Sequence, residues 1–431
     1  MSRHRGYLAL LRRNRNFRLL LTGQLISFGG DWFSTVALLG LVIELTGSEL
    51  LAALVLTAAR LPFFLLSPIG GVVADRLNRK RLMIAADLIR AAIALGLLAV
   101  RSEQTVWLGL VSVAGLTAFS ALFTPASQAA LPNLVSDDDL PAANVLMGSA
   151  FGTMLAVGSA LGGLVAATLG RDTAFVINAV SFLVSAALVL AIRAPFEEGR
   201  GQAARANPLH DLREGFAYAR SDRRILALLA TKGGFGLGGG VIALLSIFAV
   251  TVYRAGDLGI GLLFAARGLG ALLGPIGAGA YVRDSQRRMF LAIGASMGLF
   301  GLAYLVFPRM PSLWLAAPVV TLAHLGGGAQ WVLSSYGLQR LTPDRVRGRI
   351  LSFDFGIVTL TISLSQIVAG RAAEVIDPRT VMVGLGLVSL AYAAVWTLAT
   401  RSIWAGPSPP GLGAERPAAE EVPEATVARE G

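Results

Sequence analysis

The sequence predicts an all-α membrane protein of twelve transmembrane helices, arranged as two pseudo-symmetric six-helix bundles. Three observations carry that reading: a composition 55% hydrophobic and only 15% charged, a succession of apolar runs separated by short polar breaks, and an internal repeat at an offset of 207 residues. A water-soluble domain carries about a quarter charged residues, and a mean hydropathy of +0.66 does not suit a chain whose surface faces water. A spanning helix takes roughly 20 apolar residues, so a 431-residue chain of this composition holds about twelve of them with short connections. A soluble multidomain enzyme, a nucleic-acid binder and a disordered chain are all excluded.

In chain order, residues 1–16 form a basic N-terminal segment that leads into an apolar run. No small-residue cleavage site follows and the run continues past Asp31, so a retained first helix is expected rather than a signal peptide. Spans are expected near 17–46, 50–73, 82–100, 106–131, 141–169 and 173–193, which make an N-terminal bundle over 17–193. Residues 194–224 are the one long polar insertion, with a short amphipathic piece from Leu212 to Ala219 suited to a membrane surface. Six further spans near 225–253, 258–281, 288–307, 313–338, 349–370 and 379–400 make a C-terminal bundle over 225–400. The tail, 401–431, is rich in proline and glutamate from Gly406 onward and is expected to be disordered.

The 37 basic residues fix the orientation. With both termini cytoplasmic, 27 fall on inside segments, six on outside segments, and four (Arg60, Arg90, Lys232, Arg267) inside spans. The net charge of +11 is thus a topology signal, with anionic lipid as an expected partner and no nucleic acid. Arginines far outnumber the two lysines, Lys80 and Lys232, a balance typical of GC-rich coding, so the expected location is a bacterial cytoplasmic (inner) membrane. The absence of cysteine removes disulfides, thiolate metal sites and thiol nucleophiles. No metal, no cofactor and no enzymatic activity are expected, and no Gly-x-x-x-x-Gly-Lys-Ser/Thr phosphate loop is present.

The repeat is specific. Arg60 precedes Pro68-Ile69-Gly70 by eight residues, Arg267 precedes Pro275-Ile276-Gly277 by eight, and Arg76, Lys80 and Arg81 fall on Arg283, Arg287 and Arg288 at the same offset. Duplication of a six-helix unit explains this register and places a substrate site near the midplane between the halves.

The loop Gly71-Val-Val-Ala-Asp75-Arg76-Leu-Asn78-Arg79-Lys80-Arg81 resembles the signature loop of the major facilitator superfamily, Gly-x-x-x-Asp-Arg-x-Gly-Arg-Arg/Lys. Asn78 replaces the usual glycine, and asparagine also tolerates a left-handed turn. Three stretches resemble the branch that contains macrolide efflux proteins and the enterobactin exporter: Phe17 to Gln24 with Gly30-Asp31-Trp32, Phe123 to Pro132, and Thr342 to Arg349. In span 5, Gly158-Ser159-Ala160-Leu161-Gly162-Gly163 is similar to the superfamily's antiporter motif, with Ser159 in place of proline; a strip for close helix packing is the alternative. The resemblance implies the major facilitator fold and alternating access.

Ionisable residues inside spans are functional candidates because burying them is costly. Asp31 and Arg60 stand at similar depth and are expected to pair, either as a proton switch or as a permanent structural bridge. Asp87 and Arg90, three residues apart, share a face and are expected to support the gating loop of Gly71, Asp75, Arg76, Arg79 and Lys80. Asp75 is expected to latch the outward-facing state by contacts to the other half. Arg267 lacks an acidic repeat mate and suits an anionic substrate, span-end carbonyls or Asp354, while Lys232 is expected to snorkel inward. His324 is a packing residue or a proton relay. Gln24, Trp32, Phe119, Phe123, Lys232, Phe235, Gln330 and Trp331 are expected to line the cavity, since the resemblance places spans 1, 4, 7 and 10 around it. That lining suits a bulky amphipathic molecule.

The expected function is proton-coupled export of a small hydrophobic or amphipathic compound, such as a drug or siderophore, by a monomer that takes up protons as coupling ion. A lysolipid flippase or uptake permease of the same fold, and a non-transporting receptor or scaffold, are the alternatives.

Overall fold

A computed structural model describes residues 3–196, 216–282 and 285–404. The tail beyond residue 404 and most of the central polar insertion, including the first half of the expected amphipathic piece, lie outside the described residues. The described chain is helical throughout, with the twelve spans in the expected order. They are span 1 (Arg15–Thr46), span 2 (Glu49–Arg76), span 3 (Arg79–Ala99), span 4 (Glu103–Leu134), span 5 (Leu140–Leu169) and span 6 (Arg171–Leu190). The second half comprises span 7 (Arg223–Val252), span 8 (Gly256–Val282), span 9 (Gln286–Arg309), span 10 (Leu313–Leu341), span 11 (Val346–Ala373) and span 12 (Pro378–Ile403). Eleven of the described helices are long and apolar enough to cross a membrane; span 10 falls short of that apolarity, diluted by His324, three successive glycines and Gln330. A short basic helix, Arg3–Arg13, precedes span 1.

Local signals account for the boundaries. Asn14, Ser48, Asn78, Asp222 and Ser285 each accept a hydrogen bond from a backbone N–H in the first turn of the helix that follows. Asn78 does so at φ −64°, so the signature loop needs no left-handed residue and the expected substitute for glycine acts instead as a helix cap. Gly47 closes span 1 at φ 62°, a conformation that favours glycine.

The repeat is not copied in local geometry. Span 2 breaks at Ala59-Arg60 into Glu49–Ala58 and Leu61–Arg76, whereas span 8 runs unbroken through Arg267. Pro62, just inside the second piece, has no N–H to continue the ladder; its counterpart at the 207-residue offset, Leu269, does. Span 7 bends where Gly238, Gly239 and Gly240 form a tight 3-10 turn. Ser365 of span 11 accepts from the Gly240 N–H at 2.9 Å and donates to the Leu237 carbonyl at 2.6 Å, so the bend keeps its backbone satisfied.

One end of the bundle carries the arginine-rich connections around residues 76–81 and 340–349, and the halves are closed at the other. Spans 5 and 8 meet backbone to backbone there: a carbon added at Gly261 would lie 2.6 Å from the Ser159 carbonyl oxygen and 2.7 Å from Gly163 Cα. Spans 2 and 11 meet from the Ser48 to Glu374 hydrogen bond (2.6 Å) down to Phe63 and Phe64 against Phe355, with ring centroids 6.1 and 6.3 Å apart. Toward the arginine-rich end, Gly148 of span 5, Gly71 of span 2 and Gly277 and Gly279 of span 8 face open space. The structure is therefore closed at one end and open at the other.

This contact generates a prediction. Gly261→Val forces spans 5 and 8 apart, because neither backbone can yield. The chain has no cysteine, so spin labels at Leu169→Cys and Val375→Cys, both exposed near the closed end, report the distance between halves. The distribution shifts to longer distances in Gly261→Val; an unchanged distribution contradicts this reading of the contact.

Candidate functional site

Span 3 supplies the central charge. The Arg90 side chain is 2% exposed and pairs with two carboxylates, Asp31 of span 1 at 2.9 Å and Asp87 of its own helix at 3.2 Å. Its guanidinium also sits 3.9 Å from the centre of the Phe182 ring of span 6. Asp87 is fully buried, while Asp31 is 32% exposed and is the member of the group that solvent reaches. The expected pairing of Asp31 with Arg60 is therefore corrected: depth matched, but the face did not. Asp87 and Arg90, expected to support the gating loop, instead form the partner system of Asp31. Two carboxylates around one guanidinium leave one excess negative charge, which a single proton cancels.

Arg60 stands at the break in span 2 and has no hydrogen bond or ion pair among the described residues; its Nη1 is shielded from solvent. Arg267 is likewise without an acidic partner, its Nε shielded and its guanidinium 5.8 Å from the Phe264 ring centre. The two repeat mates lie near enough for their charges to interact. The Tyr304 hydroxyl shares a hydrogen bond of 2.9 Å with His324 Nε2, and Phe300 packs edge-on to the same imidazole. His324 is thus a buried, hydrogen-bonded packing residue in this state.

Aromatic side chains surround these groups. Trp32 contacts Phe264 (5.9 Å) and Phe151 (6.2 Å), and Phe235 contacts Trp331 (5.8 Å) and Phe300 (5.3 Å). Phe123 is buried in a core cluster of the N-terminal half, and Phe119 is partly buried against that cluster. Gln24 and Gln330 are both buried with side-chain oxygens that lack partners.

Lys232 does not snorkel. It is 1% exposed and donates to the Trp331 carbonyl, Ser334 and Ser335, each at 2.9 Å, with Asp354 at 3.2 Å. Its ammonium also lies 4.5 Å from the Trp331 ring centre. Lys232 is saturated within the C-terminal half and ties spans 7, 10 and 11 together, so it is not a free cavity cation. It also occupies Asp354, which removes that carboxylate as a partner for Arg267.

The gating loop engages its own half. Asp75 lies 3.6 Å from Arg79, Arg79 donates to the carbonyls of Ala129 and Phe196, and Lys80 donates to those of Leu190 and Ile192. Arg76 is exposed. The expected latch of Asp75 onto the other half is not formed in this state, in which the arginine-rich ends stand apart. Gly71 faces open space, and the close approach belongs to its neighbour Gly70, which abuts the Ala121 carbonyl of span 4.

The glycines of the antiporter-like motif divide between two neighbours. Gly158 faces Gly29 and Trp32 of span 1, Gly162 faces Phe33, and Gly163 faces Gly261 and the Asp257 carbonyl of span 8. The strip packs span 5 against its own half and against the other half at once.

Sequence reasoning missed the closed end. Arg171 bridges Glu44 at 2.7 Å and Asp257 at 2.8 Å, joining span 6, span 1 and span 8 across the halves. Asp257 and Arg171 were legible only as charges flanking spans. At the same end, the Ser48 hydroxyl and the Arg371 guanidinium hold the Glu374 carboxyl below its usual range, so this contact stays ionised in mild acid.

The buried pairs predict unequal responses to mutation. Lys232→Met strands Asp354 and costs about 3–5 kcal/mol of stability, the usual penalty for removing one partner of a buried pair. Adding Asp354→Leu restores most of it, as read by thermal unfolding in detergent. Additive losses in the double variant contradict the pairing.

The chain was compared with known proteins. Residues 6–405 match the family model for transmembrane secretion effectors. Macrolide efflux protein A of Streptococcus pyogenes is 24% identical over 83% of this chain and 89% of that protein. The multidrug efflux pump Tap of Mycolicibacterium fortuitum is 26% identical over 88% of this chain and 94% of that one. Among solved structures, a bacterial homologue of the human lysosomal transporter Spinster in an inward-facing, unoccupied conformation matches with a TM-score of 0.69 at 17% identity, covering 90% of this chain and 98% of that one. A POT family transporter in complex with a thioalcohol-conjugated peptide gives a TM-score of 0.71 at 12% identity, covering 91% and 97%. With a family model that matches nearly the whole chain and a shared twelve-helix fold, the protein belongs to the transmembrane secretion effector family, efflux-type transporters of the major facilitator fold.

Proposed function

We propose that the protein is a proton-coupled exporter of small amphipathic compounds, working by alternating access as a monomer in the cytoplasmic membrane of a bacterium. The observation that carries this reading is the Asp31, Arg90 and Asp87 group, two carboxylates on one guanidinium deep in the bundle with Asp31 reachable by solvent. The positive-inside bias places the arginine-rich end in the cytoplasm, so the state described is open inward and closed outward.

In this scheme Asp31 takes a proton when the cavity faces outward. The proton removes the excess negative charge, Arg90 is left to Asp87 alone, and the halves can close over an uncharged triad at lower desolvation cost. Inward opening lets the proton leave and Arg90 recapture Asp31. Arg171 holds the outer ends together through Glu44 and Asp257 while this happens. Export as the direction is supported by the efflux proteins among the relatives, and an amphipathic substrate by the aromatic walls of Trp32, Phe235, Phe264 and Trp331.

In proteoliposomes with an imposed pH gradient, Asp31→Asn abolishes uphill movement of aromatic amphiphiles yet retains downhill exchange. Unchanged pH-driven transport in Asp31→Asn contradicts the coupling role. Arg171→Gln weakens outer closure and shifts the ensemble toward outward opening, read as increased labelling of an introduced Trp32→Cys by an impermeant thiol reagent added outside. Unaltered labelling contradicts the gate.

A further inference from the structure

We propose that Arg60 and Arg267 together form a binding subsite for an anionic group, so that the transported molecule is an amphipathic anion with a carboxylate, sulfonate or phosphate beside an aromatic or aliphatic body. The inference rests on the transport reading above and names the substrate class for the same cavity.

Asp31 and Asp87 are held by Arg90, and Asp354 is held by Lys232. Every acidic side chain in the interior of a described span is thus already paired. Arg60 and Arg267 are left over, with Arg60 Nη1 and Arg267 Nε both shielded from solvent and both without a hydrogen-bond partner. Leaving a shielded N–H of a guanidinium without a partner is costly.

Position strengthens the case. The two arginines are repeat mates, one from each half, and the charge of Arg60 reaches Arg267. Like charges within reach of each other repel, and no carboxylate among the described residues pairs with either. An anion between them relieves that repulsion and fills the empty donors, by the paired hydrogen bonds that guanidinium groups make to carboxylate and phosphate. Because each half contributes one arginine, such a ligand is held only while the halves are close at this level, which links its binding to the movement.

The neighbours fit the rest of such a molecule. Phe264 lies beneath Arg267 at 5.8 Å and continues to Trp32 at 5.9 Å, an apolar surface adjoining the charge. The pair of Lys232 and Asp354 is neutral and its ammonium has a full set of partners, so it does not compete for the anion.

The test uses the full chain in nanodiscs of neutral phosphatidylcholine, which removes anionic lipid as a source of the same chemistry. Three probes of one ring system are compared: pyrene sulfonate, pyrene butyrate and pyrene methylammonium. Binding of the two anions should exceed that of the cation, and should fall at least tenfold in Arg60→Gln and in Arg267→Gln, with Arg60→Lys and Arg267→Lys keeping most of it. Circular dichroism confirms that each variant is folded; one that fails to fold is replaced in the comparison by the lysine variant at that position, read against the wild type at rising salt. Failure of both anions to bind the wild type, or equal losses for anion and cation on charge removal, overturns the proposal. Anion binding that depends on both arginines, without pH-driven transport of either anion, upholds the subsite and overturns the transport reading on which it was built.

Discussion

A charge placed in the hydrocarbon must be matched, and in this bundle the guanidinium of Arg90 carries the matching that the remaining groups depend on. It is enclosed by span 1, span 3 and span 6 and gathers Asp31 and Asp87, the two carboxylates in the span interiors of the N-terminal half. Once Arg90 has taken Asp31, Arg60 is deprived of the partner its depth suggested. Once Lys232 has taken Asp354, Arg267 is deprived of its own. Two cations without carboxylate partners among the described residues, Arg60 and Arg267, are the consequence of these two choices.

Much of the fold was legible in the sequence. Span order and approximate limits followed from apolar run length, and the 207-residue register announced two related halves. Pairing was less legible. Spacing along a helix gives depth at 1.5 Å per residue, but the face a residue presents depends on helix tilt and on which helix stands next to it. Arg60 and Arg90 reach Asp31's depth equally well, and the break at Ala59-Arg60, with Pro62 just beyond it, sets the face that Arg60 presents. Lys232 misled for a related reason: it lies close enough to the arginine-rich end to snorkel, yet Ser334 and Ser335 satisfy it inside. The Arg171 bridge could not be read at all, because its three members flank different spans and no local spacing joins them.

The glycines and charges at the closed end act on one equilibrium. Gly163 and Gly261 permit backbone contact between spans 5 and 8, a fit that depends on the absence of a side chain on either. Arg171 and Glu374 add polar contacts at the rim: the Arg171 bridge to Asp257 is largely buried, and the Ser48 contact to Glu374 is exposed to water and so individually weak. A closure built from steric fit and a few polar contacts can be reversed by a modest change elsewhere in the bundle.

The claim that Asp31 is the carboxyl that gains and loses the coupling proton is tested most directly by infrared difference spectroscopy across a pH step, on the purified chain in lipid. The account predicts a carboxylic-acid carbonyl band in the wild type that disappears in Asp31→Asn and persists in Lys232→Met. Identical difference spectra for wild type and Asp31→Asn would contradict it.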